Sequence, residues 1–218
     1  MEQTSKKVLI FLGPPGSGKG TQAKMIQKEL DCAYISTGFL VRQRIKMDDE
    51  LARKMKVKAD KGIPQDDETI LQLLDEKMKE LNLENGIIFD AFPLSVEQAE
   101  ALEDVLQKYN LSEARVIYID IDLEDALERL AKRRSCPKCN DVYYPGKKGY
   151  TQKRCVQCQV SLVTRDDDKP EVIKKRFEQY EDRLINLKKY YQDKGILQIV
   201  DGRCSVEEAK NKIKQIIK

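Results

Sequence analysis

The feature that most constrains the fold is a glycine-rich loop that directly follows an apolar run near the start of the sequence. Residues 8–21 are Val-Leu-Ile-Phe-Leu-Gly-Pro-Pro-Gly-Ser-Gly-Lys-Gly-Thr, and apolar residues then recur at helical spacing. A buried strand, a glycine loop and a helix in this order are typical of a phosphate-binding loop, in which backbone N–H groups and the helix N-terminus converge on an anion. The sequence therefore predicts a nucleoside triphosphate site on an α/β sheet.

Residues of this loop have separate expected tasks. We expect Lys19 to reach the β- and γ-phosphates of ATP as a point charge, and the Thr21 hydroxyl to hold Mg²⁺. Gly20 stands where Ser or Thr normally follows the lysine, so the hydroxyl comes one residue late. A dinucleotide-binding motif does not fit, because its third glycine would fall at Thr21. The candidate ATP-binding residues of the loop are Gly13, Gly16, Ser17, Gly18, Lys19, Gly20 and Thr21.

Strand-like segments alternate with helical patterns over the whole chain. The strands are expected at 8–12, 33–36, 86–89, 115–121 and 196–200, and the helices at 67–82, 95–108, 123–134, 170–191 and 205–217. Continuous apolar strands between helices predict a three-layer α/β fold of the P-loop NTPase type, with a five-stranded parallel sheet covered by helices. Ligands then bind at the carboxyl ends of the strands, where Thr37 and Asp90 lie.

Composition excludes several classes of function. Lys and Arg number 40 against 37 Asp and Glu, which leaves a net charge of +3 and no lopsided basic balance of the kind seen in nucleic-acid binders. Histidine is absent, so histidine-based nucleophilic or general base catalysis is excluded. No apolar run approaches the roughly 18 residues of a membrane span, and residues 1–4 do not begin a signal peptide. We therefore expect a cytoplasmic protein with no membrane contact.

The helical periodicity stops at about residues 135–164, where two Cys-x2-Cys pairs occur. Cys136 and Cys139 are separated by 15 residues from Cys155 and Cys158, and this spacing predicts a closed four-thiolate metal site. The expected metal is a structural Zn²⁺, because so short a block cannot bury enough apolar surface to fold without one. The sequence does not distinguish zinc from iron.

These motifs follow one another in a characteristic order. The glycine loop precedes Ser36-Thr37-Gly38, then Asp90-Ala-Phe-Pro93, then the cysteine block flanked by arginines, and then Val200-Asp201-Gly202. In this register the chain resembles the adenylate kinase family over essentially its whole length, in the long form with a zinc-bearing lid. The resemblance implies reversible transfer of the γ-phosphoryl group of Mg-ATP to AMP, with small nucleotides as partners and a monomeric protein.

The resemblance also implies a division of the chain and a role for each matched residue. Residues 1–36, 66–134 and 165–218 would form the core, residues 37–65 the small helical acceptor domain, and residues 135–164 the zinc-ribbon lid. The implied catalytic residues are Lys19, Asp90, Arg129, Arg133, Arg165 and Arg176. Arg129, Arg133 and Arg203 join the loop in ATP binding. The implied acceptor-binding residues are Thr37, Gly38, Arg42, Ala91, Gln98, Arg165 and Arg176.

Helical spacing would direct these arginines into one cleft. Arg129 and Arg133 are at i and i+4, so we expect them on one face of the helix predicted at 123–134. Arg176 follows Arg165 by eleven residues, about three turns if that segment is helical.

The match to the family is weaker on the acceptor side. Leu94 stands where the family has an arginine that binds the acceptor phosphate, Ala91 replaces a glycine, and Phe39 replaces an aspartate. Loss of one charge-assisted contact to phosphate weakens binding roughly ten- to hundredfold. Basic residues of the acceptor domain that could supply substitute charge are Arg44, Lys56, Lys58 and Lys61.

Three interpretations stay open at this point. The chain is an adenylate kinase with weakened AMP affinity, a kinase for another nucleoside monophosphate or acceptor, or a catalytically weakened homologue that binds nucleotide. In the third case the cysteine block, with basic residues such as Lys147 and Lys148, would form an interaction surface, including one for nucleic acid. A solvated basic surface is favoured over nucleic-acid binding, because no separate linker sets the block apart.

Overall fold

The backbone forms a parallel sheet with helices on both faces, in a computed structural model that describes residues 6–111 and 113–218. The strands are β1 (Lys7–Leu12), β2 (Ala33–Ser36), β3 (Ile87–Asp90), β4 (Glu113–Asp120), β5 (Arg134–Ser135), β6 (Val142–Tyr143) and β7 (Leu197–Asp201). The helices are α1 (Lys19–Leu30), α2 (Thr37–Ile45), α3 (Glu50–Asp60), α4 (Asp67–Met78), α5 (Val96–Lys108), α6 (Leu123–Lys132), α7 (Pro170–Asp193) and α8 (Val206–Ile216). Within the described ranges, every helix is too short or too polar for a transmembrane span.

The main sheet has five strands in the order β2-β3-β1-β4-β7, and every pairing in it is parallel. This confirms the predicted fold class, and the strand bounds agree with prediction to within two residues. Because β1 lies between β3 and β4, the loop after Leu12 opens at the middle of the carboxyl edge. Phe11 pairs in register with Asp90, which brings the Asp90 carboxylate next to that loop.

Strand β1 is buried on both faces, as its continuous apolar sequence predicts. Val8, Ile10 and Leu12 join an apolar cluster that includes residues of α4, α5 and α7. Leu9 and Phe11 join a second cluster, on the other face, with residues of α1 and α8. Alternation of side chains across the sheet therefore gives the two halves of the core.

Residues 37–65, the expected acceptor domain, contain two short helices beside the carboxyl edge. Helix α2 continues directly from β2 and packs on α3 and α4. Helix α3 begins after Asp49, whose side chain accepts a hydrogen bond from the Ala52 N–H at 2.8 Å. Satisfying this otherwise unpaired N–H fixes the start of α3.

The cysteine block, residues 135–164, is not part of the main sheet and has its own short ribbon and apolar cluster. Strands β5 and β6 pair as an antiparallel ribbon, and an isolated bridge joins Ser135 to Val163. The apolar cluster of the block is small, with Cys136, Tyr143 and Cys155 as its buried members. So little buried apolar surface does not stabilise a fold alone, which agrees with the expectation of a bound metal.

One helical prediction for the arginines is wrong, and the condition attached to another is not met. Helix α6 ends at Lys132, and Arg133 follows it in an extended conformation with ψ 139° that leads into the ribbon. Arg129 and Arg133 therefore do not share a helical face. Arg165 precedes the 3₁₀ turn Asp166–Asp168, whereas Arg176 is in α7, so no continuous helix connects these two arginines.

Candidate active site

Two cavities open at the carboxyl edge of the sheet. The first, of about 600 Å³, is lined by the glycine loop, and we call it the donor cavity. The second, of about 410 Å³, lies beside α2 and is lined by Thr37 and Gln98, and we call it the acceptor cavity. Arg129 and Arg203 line only the donor cavity and do not reach the acceptor cavity. The residues that line both cavities are Gly38, Arg42, Ala91, Asn140, Arg165, Asp167 and Arg176.

The lysine of the glycine loop forms no ion pair within residues 6–111 and 113–218. Lys19 is the first residue of α1, and its Nζ donates a hydrogen bond to the Pro14 carbonyl at 3.0 Å. Burial lowers the pKa of Lys19 to about 8, Asp90 opposes that shift, and arginines of the cleft add to it. A phosphate group beside the ammonium would restore the charged form, so the position fits a polyphosphate.

Ser17 gives an independent indication of an anion in the loop. Its hydroxyl is buried and has no hydrogen-bond partner in the part of the chain that the structure describes. A buried hydroxyl without a partner costs free energy that an ordered ligand oxygen would recover. Gly13 makes room for it, because a Cβ atom at residue 13 would lie 3.0 Å from Ser17 Oγ and 2.2 Å from the Ile119 carbonyl oxygen. The loop is therefore shaped for phosphate oxygens.

The structure explains why glycine occupies position 20, where the general loop pattern has Ser or Thr. A Cβ atom at this position would lie 3.0 Å from Asp90 Oδ2. The Asp90 carboxylate ends β3 and accepts a hydrogen bond from the Tyr34 hydroxyl at 2.7 Å. Glycine thus lets this carboxylate approach the start of α1, and Thr21 lines the same cavity. Carboxylate and hydroxyl oxygens are ligands that Mg²⁺ prefers, so the residues present fit that ion.

Arginines surround the point where the two cavities meet. They are Arg42, Arg133, Arg165 and Arg176. Asp168, whose side chain is fully buried, accepts a hydrogen bond from Arg133 Nε at 2.9 Å, and Asp167 accepts one from Arg176 Nη1 at 2.8 Å. Burial alone would raise the pKa of Asp167, but the guanidinium groups lower it to about 2. Asp167 is therefore ionised, and both carboxylates hold the arginines that they contact.

Positive charge is in excess at this junction. Burial lowers the pKa of Arg165 well below its usual value, and Arg133 and Arg42 lower it further. Burial also lowers the pKa of Arg42. Cations held this close together are stabilised by an anion between them, so the junction favours the binding of phosphate.

Hydrogen bonds hold three of the expected acceptor residues in place. Thr37 Oγ1 donates to the Ala91 carbonyl at 2.8 Å. Gln98 is buried, and its Nε2 donates to Asp67 Oδ1 at 2.7 Å while its Oε1 accepts from the Leu94 N–H at 2.8 Å. The Gln98 amide is therefore held in one orientation at the cavity wall.

The four cysteines converge, as their spacing predicts. Their Sγ atoms all lie within 4.8 Å of one another. The N–H groups of Cys139 and Cys158 donate to Cys136 Sγ and Cys155 Sγ at 3.4 and 3.3 Å. Burial alone would raise the pKa of Cys155, but hydrogen bonds, first among them that from the Tyr143 hydroxyl, lower it to about 6. A stabilised thiolate among three further thiols is a site suited to a metal ion.

Comparison with known proteins decides the family. The family model described as Adenylate kinase matches residues 11–196. The chain belongs to the adenylate kinase family. A protein named adenylate kinase from Archaeoglobus fulgidus is 37% identical over 213 residues, which cover 96% of this chain and 97% of the relative. Proteins of the same name from Dehalococcoides mccartyi (38% over 210 residues, 96% and 97% covered) and Thermotoga neapolitana (37% over 214 residues, 96% of each covered) are similarly close.

Family membership makes the three acceptor-side departures more informative. Leu94 packs against the larger apolar cluster, and both Leu94 and Phe39 line the acceptor cavity. Ala91 has φ 60°, in the left-handed region that glycine enters without steric cost. The chain therefore retains the backbone conformation that suits a glycine at position 91 while carrying a methyl group there.

The cations near the acceptor cavity differ from those expected. Of Arg44, Lys56, Lys58 and Lys61, Lys56 alone lines it. Arg44 and Lys58 form ion pairs with nearby aspartates. Lys46 and Arg183, which the sequence analysis did not single out, also line the cavity.

Sequence reasoning missed several residues that support the site. Asp167 and Asp168 orient arginines, and the acidic run directly after Arg165 was an available signal for them. Tyr34, which contacts Asp90, looks like an ordinary strand residue in the sequence. Asn140 follows a cysteine knuckle, and nothing in the sequence indicates that it faces the cleft.

Proposed function

We propose that this chain catalyses reversible transfer of the γ-phosphoryl group of Mg-ATP to AMP, which gives two ADP. The observation that carries this proposal is the meeting of the two cavities at the arginine cluster, with Lys19 on the donor side of it. A phosphoryl group that moves between two nucleotides passes through such a junction with charge spread over its oxygens. Cations already fixed there stabilise that charge without reorganisation in the transition state.

Each side of the junction has a proposed task. The loop amides, the Ser17 hydroxyl and Lys19 bind the β- and γ-phosphates of ATP, while Arg129 and Arg203 contact the donor from the other wall of its cavity. Arg133, Arg165 and Arg176 neutralise the group in transfer. Thr21 and Asp90 would hold Mg²⁺, which would supply positive charge to the donor phosphate oxygens when bound.

Acceptor binding is proposed for a third group of residues. Arg42 pairs with the acceptor phosphate, with Arg165 and Arg176 shared between the two nucleotides. Thr37, Gly38 and Ala91 form the wall beside the nucleoside, and Gln98 contacts the base. This placement is supported by the acceptor cavity, which all of these residues line.

The proposal includes a division of the chain that follows from these tasks. Residues 1–36, 66–134 and 165–218 act as the core, residues 37–65 cover the acceptor, and residues 135–164 form a lid that excludes water from the transfer step. We further propose that the protein acts as a monomer in the cytoplasm, where thiols remain reduced for metal binding.

We propose Zn²⁺ as the ion of the cysteine site, with a structural role in the lid. Chelation should lower the melting temperature and the transfer rate together, and added Zn²⁺ should restore both. Metal analysis of the purified protein distinguishes zinc from iron. A metal-free protein with full activity and unchanged stability would refute a structural ion.

A coupled ADP-release assay tests the proposed reaction. ATP is offered with AMP, GMP, CMP, UMP and the corresponding nucleosides, and Lys19→Ala serves as the inactive control. Turnover highest with AMP supports the proposal. Turnover with a different acceptor and none with AMP would show that this acceptor is the substrate. ATP binding without turnover on any acceptor would indicate a nucleotide-binding homologue that is not a kinase.

A further inference from the structure

The two cysteine knuckles of the lid have matching backbones but different surroundings. The residue after the second cysteine is Asn140 in one knuckle and Gln159 in the other, each with φ 56°. Each donates its N–H to the carbonyl of the first cysteine of its knuckle, at 3.0 and 2.9 Å. Gln159 is exposed, and its amide donates to the Val156 carbonyl within the same knuckle. Asn140 is buried and faces the arginine cluster.

One oxygen of Asn140 connects two parts of the cleft. Its Oδ1 accepts hydrogen bonds from Arg42 Nη2 at 3.0 Å and from Arg165 Nη2 at 2.6 Å. Arg42 is in α2, at the acceptor cavity, whereas Arg165 follows the cysteine block in sequence. The first knuckle is thus joined by a side chain to the acceptor-side arginine.

Arg42 and Arg165 differ from the other arginines of the cluster in their support. Arg133 and Arg176 each form an ion pair with an aspartate. Over residues 6–111 and 113–218, neither Arg42 nor Arg165 has a carboxylate within ion-pair distance. Neutral oxygens orient these two guanidinium groups and leave their charge for phosphate: the Asn140 amide oxygen binds both, and the Ser135 hydroxyl also accepts from Arg165 Nε at 3.1 Å. Each guanidinium has five N–H donors, so others remain available.

Two backbone contacts place the same knuckle against the cleft. Lys46, at the end of α2, donates from Nζ to the Pro137 carbonyl at 3.1 Å. Lys24, in α1, donates from Nζ to the Cys139 carbonyl at 3.2 Å. The knuckle that carries Asn140 therefore docks on both the loop helix and the acceptor helix.

We propose that Asn140 is a positioning residue, which orients Arg42 and Arg165 for phosphoryl transfer when the lid covers the acceptor side. The inference rests on the proposed function, because it concerns the same reaction. It adds a coupling between the metal knuckle and the acceptor-phosphate arginine. A left-handed backbone at residue 140 admits glycine freely, so the side chain can be removed without strain.

The test compares Asn140→Gly with the matched variant Gln159→Gly, which alters the equivalent position of the other knuckle. Loss of hydrogen bonds to charged groups should lower kcat/KM for AMP roughly ten- to hundredfold in Asn140→Gly, with metal content retained. Gln159→Gly should stay within about twofold of wild type, as is usual for exposed sites. Equal losses in the two variants, or no loss in Asn140→Gly, would overturn the proposal.

Asn140→Asp separates orientation from charge. The carboxylate keeps an acceptor oxygen but forms stronger bonds to the guanidinium groups and competes with phosphate. We expect kcat closer to wild type than in Asn140→Gly, together with a KM for AMP raised about tenfold. A variant with the same KM as wild type and the kcat of Asn140→Gly would contradict a positioning role. The absolute turnover of the wild-type protein with AMP tests the proposed function. The role of Asn140 is tested separately, by the ratios of the variants' kinetic constants to those of the wild type.

Discussion

The donor and acceptor sides of the cleft are built by different means. On the donor side, the backbone of the glycine loop and the start of α1 form the site. The loop fits the family, and Gly20, its departure from the general phosphate-loop pattern, makes room for Asp90. On the acceptor side, side chains from α2, α5 and the segment after β3 form the wall, and the departures Phe39, Ala91 and Leu94 are all found there. A backbone site tolerates few changes, whereas a side-chain site is altered one residue at a time. We therefore expect donor chemistry to be retained and acceptor affinity to be adjusted.

The largest effect is expected on the donor side, from Lys19→Met. Removal of the charge beside the donor phosphates should lower kcat about 10³-fold, in the range found for loss of one preorganised donor. The melting temperature at pH 7 should not fall, because burial of Lys19 with a lowered pKa opposes folding below about pH 8. Lys28→Met, at an exposed position of the same helix, is the control. Comparable activity in both variants would remove the basis for a donor site at the loop.

The next effect is expected on the acceptor side, as a gain. Leu94→Arg places a cation where the family pattern has one, and kcat/KM for AMP should rise roughly tenfold or more. Leu94→Met controls for the change of side-chain shape against the apolar cluster. Steady-state kinetics with AMP as the varied substrate provide the measurement. A lower kcat/KM for AMP in Leu94→Arg would contradict this prediction and would show that other cations of the cavity already bind the acceptor phosphate.

A pH dependence of ATP binding is expected from the donor side. The pKa of Lys19 is lowered to about 8 in the nucleotide-free protein, so the charged form predominates below that pH and is lost above it. Phosphate pairs with the charged form, and ATP affinity should therefore fall about fivefold between pH 8 and pH 9, because the charged fraction of Lys19 falls by that factor. Calorimetric titration at several pH values measures this change. Lys19→Arg keeps its charge throughout, so its affinity, although altered, should not follow the same curve.

The smallest effect concerns the backbone at Ala91. Its φ of 60° is disfavoured for alanine, so Ala91→Gly should stabilise the fold by about 1 kcal/mol despite the greater chain entropy of glycine. That corresponds to roughly 2–4 °C in melting temperature for a chain of this size. Ala101→Gly, within α5, should instead destabilise by about 1 kcal/mol. A fall in melting temperature for both variants would show that position 91 carries no strain.

Much of the fold followed from local sequence patterns. Apolar runs such as residues 8–12 predicted the strands, and the glycine loop with Asp90 predicted the sheet edge at which the two cavities open. The spacing of the four cysteines predicted their convergence, because the two cysteines of each pair are close in the sequence. These predictions held because each depends on residues close together in the chain.

The parts that could not be predicted depend on contacts between distant segments. The end of α6 before Arg133 follows from the entry into the ribbon, which helical periodicity does not record. The support of Arg133 by Asp168 joins residues 35 positions apart. The cations of the acceptor cavity were misjudged for a different reason, since the aspartate that pairs with Arg44 is local in sequence, and the helical pattern does not show that this ion pair forms.

The bridge between Ser135 and Val163 has a mechanical consequence. The two segments that enter and leave the cysteine block are paired there by reciprocal backbone hydrogen bonds of 2.8 and 2.9 Å. We therefore expect the block to move about this paired segment as one unit. Arg133 and Arg165 flank the segment, so such a rotation would change the positions of both guanidinium groups together.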